Sequence, residues 1–234
     1  MRIDLNADLG EGVTDDEGLL AVVSSANVAC GYHAGDAATM RTVCMQAAAR
    51  EVAVGAQVSY ADRENFGRVP LEVEYAVLRE QVADQVGVLG EIAAAAGTTV
   101  TYVKPHGALY HRVIDDEEQA RAVLDGSGRL PVLGMPGSLL LELARGQGRA
   151  ARREGFPDRG YTEGEFAGRL LSRDRPDALI DNPGQIAARA VAMARTGGFE
   201  SVCVHGDSPG AVAAARACRS ALEAADFEVR RSDS

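Results

Sequence analysis

Short β-prone runs alternate with helical segments along the whole chain, and this alternation limits the fold more than any other feature of the sequence. The runs are residues 3–5, 26–30, 52–58, 100–103, 130–133, a weaker one at 153–156, and 201–204. Between them, Asp36 is placed to cap a helix over 37–50, Pro70 precedes a long helical run over 71–96, and Gly97 stops it. Further helices fit 115–124, 138–145, 183–196 and 209–225. Strands separated by helices pair in parallel through crossovers, either closed into a barrel or left as an open doubly wound sheet. A chain of 234 residues is the length of one α/β barrel, so a single domain over 1–234 is expected.

Between 155 and 182 the pattern lapses. A stretch that long inside a compact domain is a functional lid or an element with a hidden period, and a lid is the stronger expectation.

Hydrophobic residues make up 46% and charged residues 25%, enough apolar material for a substantial core. The net charge of -10 argues against nucleic acid or anionic membrane as partner, because both need a basic face. No run approaches 18 uninterrupted apolar residues and the start lacks the apolar core of a signal peptide, so a cytoplasmic protein is expected. Cys30, Cys44, Cys203 and Cys218 show no zinc-type spacing and should pack as small hydrophobes without a disulfide.

In parallel α/β folds the segments after each strand form one rim, where small ligands bind. Here those segments carry Asn6, Asp8 and Glu11; His33 and Asp36; Asp62 and Arg63; Lys104 and His106; Asp158 and Arg159; and His205 and Asp207. Lys104 is the only lysine beside 23 arginines, which points to a task a guanidinium cannot perform. Three of the four histidines (His33, His106, His205) stand near a glycine just after an apolar run, whereas His111 reads as structural. Asp36 has a competing role as a helix cap, and so has Asp207 through Ser208 and Pro209; Asp8 and Glu11 are the better acid–base candidates. Asp8, His33 and His106 could offer oxygen and nitrogen ligands to a divalent metal. Neither a P-loop nor a dinucleotide fingerprint is present, so ATP is not bound in either of those ways.

The opening Asp4-Leu5-Asn6-Ala7-Asp8-Leu9-Gly10-Glu11-Gly12 resembles the signature of the LamB/YcsF family. Further blocks follow in family order: residues 27–36, Phe66-Gly67-Arg68, Lys104-Pro105-His106-Gly107, Asp158-Arg159-Gly160-Tyr161 and 203–211. The resemblance implies a seven-stranded parallel β/α barrel similar to the glycoside hydrolase/deacetylase fold. It also implies ATP-dependent opening of the 5-oxoproline lactam to L-glutamate, shared with partner subunits B and C, with ATP used through the partners. One departure stands out: where the family has a histidine after the third strand this chain has Gln57, which cannot shuttle a proton and is a poorer metal ligand.

Lactam hydrolysis needs a nucleophilic water, a seat for the developing oxyanion and a proton for the departing nitrogen. The expected roles are Asp8 or Glu11 as base, Lys104 as oxyanion or phosphate partner, and His106 as acid or orienter. Asn6, His33, His205 and Asp207 would position the small-molecule substrate, with Arg63 or Arg159 gripping its carboxylate. The alternatives are a metal-dependent N-deacetylase-like hydrolase and a non-catalytic component that binds a small acid.

Overall fold

The structure, a computed structural model, describes residues 1–13, 15–207 and 210–231. Among them, seven parallel strands close into a barrel: β1 (Arg2–Leu9), β2 (Ser25–Ala29), β3 (Ala53–Val58), β4 (Val100–Pro105), β5 (Val132–Gly134), β6 (Ala151–Gly155) and β9 (Ser201–Val204). Neighbours pair in that order, and β9 returns to β1 with Asp4 beside Ser201 and Ala7 beside Val204. A short β10 (Glu228–Val229) adds to the start of β1. The helices outside are α1 (Asp16–Leu20), α2 (Ala37–Ala49), α3 (Tyr75–Ala95), α4 (Gly107–Arg112), α5 (Glu117–Gly126), α6 (Leu139–Gly146), α7 (Pro183–Thr196) and α8 (Ala211–Ala224).

Each strand sends alternate side chains inward and outward. The outward set of β1, Ile3, Leu5, Ala7 and Leu9, joins Val28, Val54, Ala56, Val58 and Val103 in the main apolar core beneath the helices. The inward set is polar: Asp4, Asn6 and Asp8 meet Ser25 and Asn27 of β2, Ser201 of β9, Glu154 of β6 and Lys104 of β4, and Tyr102 of β4 donates to Asn27. The apolar layer thus surrounds the barrel, and the barrel encloses a buried polar column. Gly55 makes room for that column, since a Cβ there would stand 2.2 Å from the Tyr102 ring.

Asp36 caps α2 by accepting from the Thr39 amide at 2.8 Å. Three helix boundaries depart from the sequence reading. The segment after Pro70 stays extended until α3 begins at Tyr75, because Gln119 of α5 holds the Val73 carbonyl and Glu118 holds the Tyr75 amide. The helix expected over 115–124 runs instead over Glu117–Gly126, capped by Asp116. The cap of α8 is Gly210; Asp207 pairs elsewhere, and Ser208 and Pro209 lie outside the described residues.

The stretch without a clear period contains a small antiparallel hairpin, β7 (Tyr161–Glu163) and β8 (Ala167–Leu170). Buried Arg159 holds its return path by donating to the carbonyls of Ala178 and Leu171. Leu170 packs with Tyr110, Met135, Phe156 and Cys203 in a second core just above the barrel.

Candidate active site

A cavity of about 610 Å³ opens at the end of the barrel where the strands finish. Its floor is Asp8, Lys104, His106, Phe156 and His205, while Arg169, Leu170, Leu171 and Arg173 from the hairpin segment line its side. A volume of that size suits a small molecule.

Lys104 is buried at the base of this cavity. Its ammonium lies 3.1 Å from Asp8 Oδ1 and 3.0 Å from Glu154 Oε1, and donates to Cys203 Sγ at 3.2 Å. Burial alone would lower the lysine's pKa, but Asp8, Cys203 and Glu154 outweigh it and hold it well above the ordinary range. Burial likewise works against ionised Asp8, yet Lys104, His205 and His106 bring its carboxyl below the usual carboxylate range. Glu154 behaves oppositely, burial raising its pKa despite Lys104. The cluster therefore holds one settled ion pair, Asp8 with Lys104, and a second carboxyl that takes a proton more readily.

Beside it stands a second group. His33 and His106 stack with ring centroids 4.0 Å apart and planes 13° from parallel. Glu11 Oε1 lies 3.6 Å from one nitrogen of each ring. Gln57 donates from Nε2 to Glu11 Oε1 at 3.0 Å and bonds His106 Nδ1 at 2.9 Å. His106 Nε2 is 3.1 Å from the Phe66 carbonyl, an acceptor, so Nε2 carries the proton and Nδ1 accepts from Gln57. Burial, then His33, pushes the His106 pKa well below the ordinary range, in keeping with a neutral ring. The glycines at this corner are required: Gly67 has φ +67° and a Cβ there would meet Ser59 Oγ at 2.2 Å, and one on Gly107 would meet the Gly67 carbonyl at 2.3 Å.

The expected metal set needs correction. Among the described residues, the ligand-type atoms that gather within 4.8 Å of one another belong to Glu11, His33 and His106; Asp8 is tied instead to Lys104 and Asn27. Even this group fits an ion poorly. Lone pairs of near-parallel stacked rings lie in planes that do not meet at a common point, and both His106 nitrogens already have partners. His33 alone keeps two buried nitrogens without a hydrogen-bond partner.

The other expected residues divide. Asn6 is fully buried below the cavity, its amide donating to Glu154 and Ser201 and its oxygen accepting from Asn27, so it braces the column rather than meeting a substrate. Glu11 and His33 lie behind the cavity wall. Arg63 is corrected outright: it is exposed and donates to the carbonyls of Gly31 and Gly35. Arg159 lines the cavity, although its Nε and Nη2 are turned to the hairpin backbone. Asp207 binds Arg68 at 2.5 Å and Arg173 at 3.1 Å, and these two arginines face the cavity.

A family profile, described as the LamB/YcsF family, matches residues 3–234. The chain belongs to the LamB/YcsF family. Among curated relatives, the A subunit of 5-oxoprolinase from Streptomyces avermitilis is 52% identical, covering 97% of this chain and 98% of the relative. The protein of the same name from Mycobacterium avium is 48% identical with the same coverage. Among solved structures, a lactam utilization protein from Thermus thermophilus superposes with a TM-score of 0.90 at 35% identity, over 98% of this chain and 99% of that one. A family 4 carbohydrate esterase from Streptomyces lividans shares the fold, with a TM-score of 0.55 at 12% identity over 97% and 91% of the two chains. This LamB/YcsF chain therefore has the deacetylase-like barrel that its family blocks imply.

Sequence reasoning missed Glu154, Asn27, Arg68 and Arg173 as parts of this site. The phase of the inward-facing residues could have found the first two. Asn6, Asp8, Asn27, Gln57, Lys104 and Glu154 all occupy the inner face of their strands, and a polar residue in phase with Lys104 on a neighbouring run is a signal the sequence carries.

Proposed function

We propose that this chain is the A subunit of an ATP-dependent 5-oxoprolinase, opening the lactam of 5-oxoproline to L-glutamate together with subunits B and C. The names of its relatives support the substrate and the existence of partners. The observation that carries the chemistry is the ammonium of Lys104, buried between two carboxyl groups at the base of a small-molecule cavity.

Two of the three lysine N–H groups are held by carboxyl oxygens and the third by a thiol, a weak acceptor. A lactam oxygen entering the cavity displaces the thiol at little cost, and its growing negative charge then lies against a fixed cation away from bulk water. The substrate carboxylate is received by Arg173 and Arg68, which already converge on the carboxylate of Asp207. Gln57 replaces the family histidine as a fixed donor joining Glu11 to His106, a bracing task that needs no proton transfer. ATP is used through subunits B and C.

The test is reconstitution. The purified chain alone should neither hydrolyse ATP nor release glutamate from 5-oxoproline, and adding B and C should give ATP-coupled glutamate. Glutamate release by the lone chain with ATP, or none with both partners present, would overturn the reading.

A further inference from the structure

Resting on that reading, we infer that His205 is the general base that activates the hydrolytic water, and that Asp158 is the positioning residue that sets its tautomer. Asp158 Oδ2 accepts twice from the same residue, from the His205 backbone amide at 3.0 Å and at ring Nδ1 at 2.9 Å. Burial would raise the Asp158 pKa, but His205 outweighs it and the carboxyl stays below its ordinary value. An ionised carboxylate can only accept, so in the neutral ring Nδ1 bears the proton and the lone pair sits on Nε2. The ring lines the cavity and stacks on Phe156 with centroids 5.2 Å apart, a second fixed surface that holds its plane.

The other candidate bases at this end of the barrel are committed elsewhere, Asp115 through its ion pair with Arg169. Asp8 accepts from Lys104 and Asn27 and is a weakened base. Glu154 accepts from Lys104 and Asn6 beneath the floor. His106 has a proton on Nε2 and an acceptor bond on Nδ1. Glu11 and His33 are behind the wall. His111 lines the cavity, but burial and the arginines around it lower its pKa to about 4, too low for effective proton abstraction near neutrality.

In the resulting step, Nε2 takes a proton from water as the water oxygen bonds to the lactam carbonyl carbon, whose π pair moves to the oxygen facing Lys104. Collapse of that adduct breaks the C–N bond, and the Nε2 proton passes to the departing nitrogen. One water is added to the lactam that subunits B and C present at the expense of ATP, the new carboxyl's proton passes to solvent, and the imidazole ends as it began.

Two measurements test this. The first needs no turnover: the chain has four histidines, so ring ¹⁵N signals can be assigned by comparison with His205→Gln. His205 should show the Nδ1–H tautomer, and Asp158→Asn should shift it towards Nε2–H; an Nε2–H ring in the wild type overturns the assignment. The second uses the chain with B and C. His205→Ala should lower kcat roughly 100- to 10,000-fold with KM little changed, the range for loss of a general base. Added imidazole should recover part of the rate, and Asp158→Asn should lower kcat by up to about 10,000-fold. Wild-type turnover kept by His205→Ala overturns the proposal. If the wild type itself shows no turnover with B and C, the functional reading fails while the ring signals still decide the pair.

Discussion

At the scale of single residues, Lys104 was legible as a count, one lysine beside 23 arginines, but its surroundings were not. It does not stand at the rim; it is buried with Asp8 and Glu154, and that changes what substitution does. Lys104→Met leaves ionised Asp8 without its counter-charge and should destabilise the fold by about 3–5 kcal/mol. Adding Asp8→Asn should recover part of that loss, because the carboxylate left without a cation is gone while the oxygen that accepts from Asn27 is kept; urea unfolding of both variants checks it, and equal stabilities would contradict the coupling. Lys104→Arg keeps the charge but must fit a larger planar group, and turnover with B and C should fall about 100- to 1,000-fold, the effect of losing one oxyanion donor. Asp8, Lys104, His106 and His205 were readable because each follows an apolar run at a strand end. Asn6 and Arg63 were misplaced because a one-dimensional reading gives order along the rim but not depth or direction.

At the scale of elements, the strands were legible where their outward residues are apolar, and weakest at β6. Its sequence, Ala-Arg-Arg-Glu-Gly, looks unlike a strand because Glu154 points inward to Lys104 and the three residues before it are only half covered. The hairpin of β7 and β8 was unreadable for a related reason: most of its residues are exposed, so no hydrophobic period marks it. It is held on the barrel by Leu170, packed against Tyr110, Met135, Phe156 and Cys203, and by the ion pairs of Arg169 with Asp115 and, just beyond the hairpin, Arg173 with Asp207. Arg173→Ala should raise KM for 5-oxoproline by roughly 10- to 150-fold, the worth of a hydrogen bond to a charged group at about 1.5–3 kcal/mol. Asp207 keeps Arg68 as partner, so stability should change by no more than about 0.5 kcal/mol. Arg63→Ala, on the same assay, should leave KM unchanged; the reverse ranking would place the carboxylate seat with Arg63.

At the scale of the whole molecule, a barrel with its apolar layer outside and a polar column within ties stability to protonation. No helix among the described residues is long and apolar enough to cross a membrane. His111 shows the consequence most cleanly. Burial, then Arg159, Arg169, His205 and Arg173, lowers its pKa from 6.5 to about 4, so the folded chain resists the proton that the unfolded chain accepts. Its contribution to stability is fully present above pH 6.5 and is lost as pH falls towards 4, at no more than about 1.4 kcal/mol per pH unit. Asp4, Glu11 and Glu154, whose pKa values are raised by burial, act in the opposite sense over the same acid range, so the wild-type profile alone mixes the two. Comparison with His111→Gln separates them, because the carboxyls are common to both proteins. Urea midpoints at pH 7, 6 and 5 should show the wild type losing ground to the variant at each step down. A difference that stays constant from pH 7 to 5 would mean that His111 titrates in the fold as it does in the unfolded chain, and that the arginines around the cavity do not act on it.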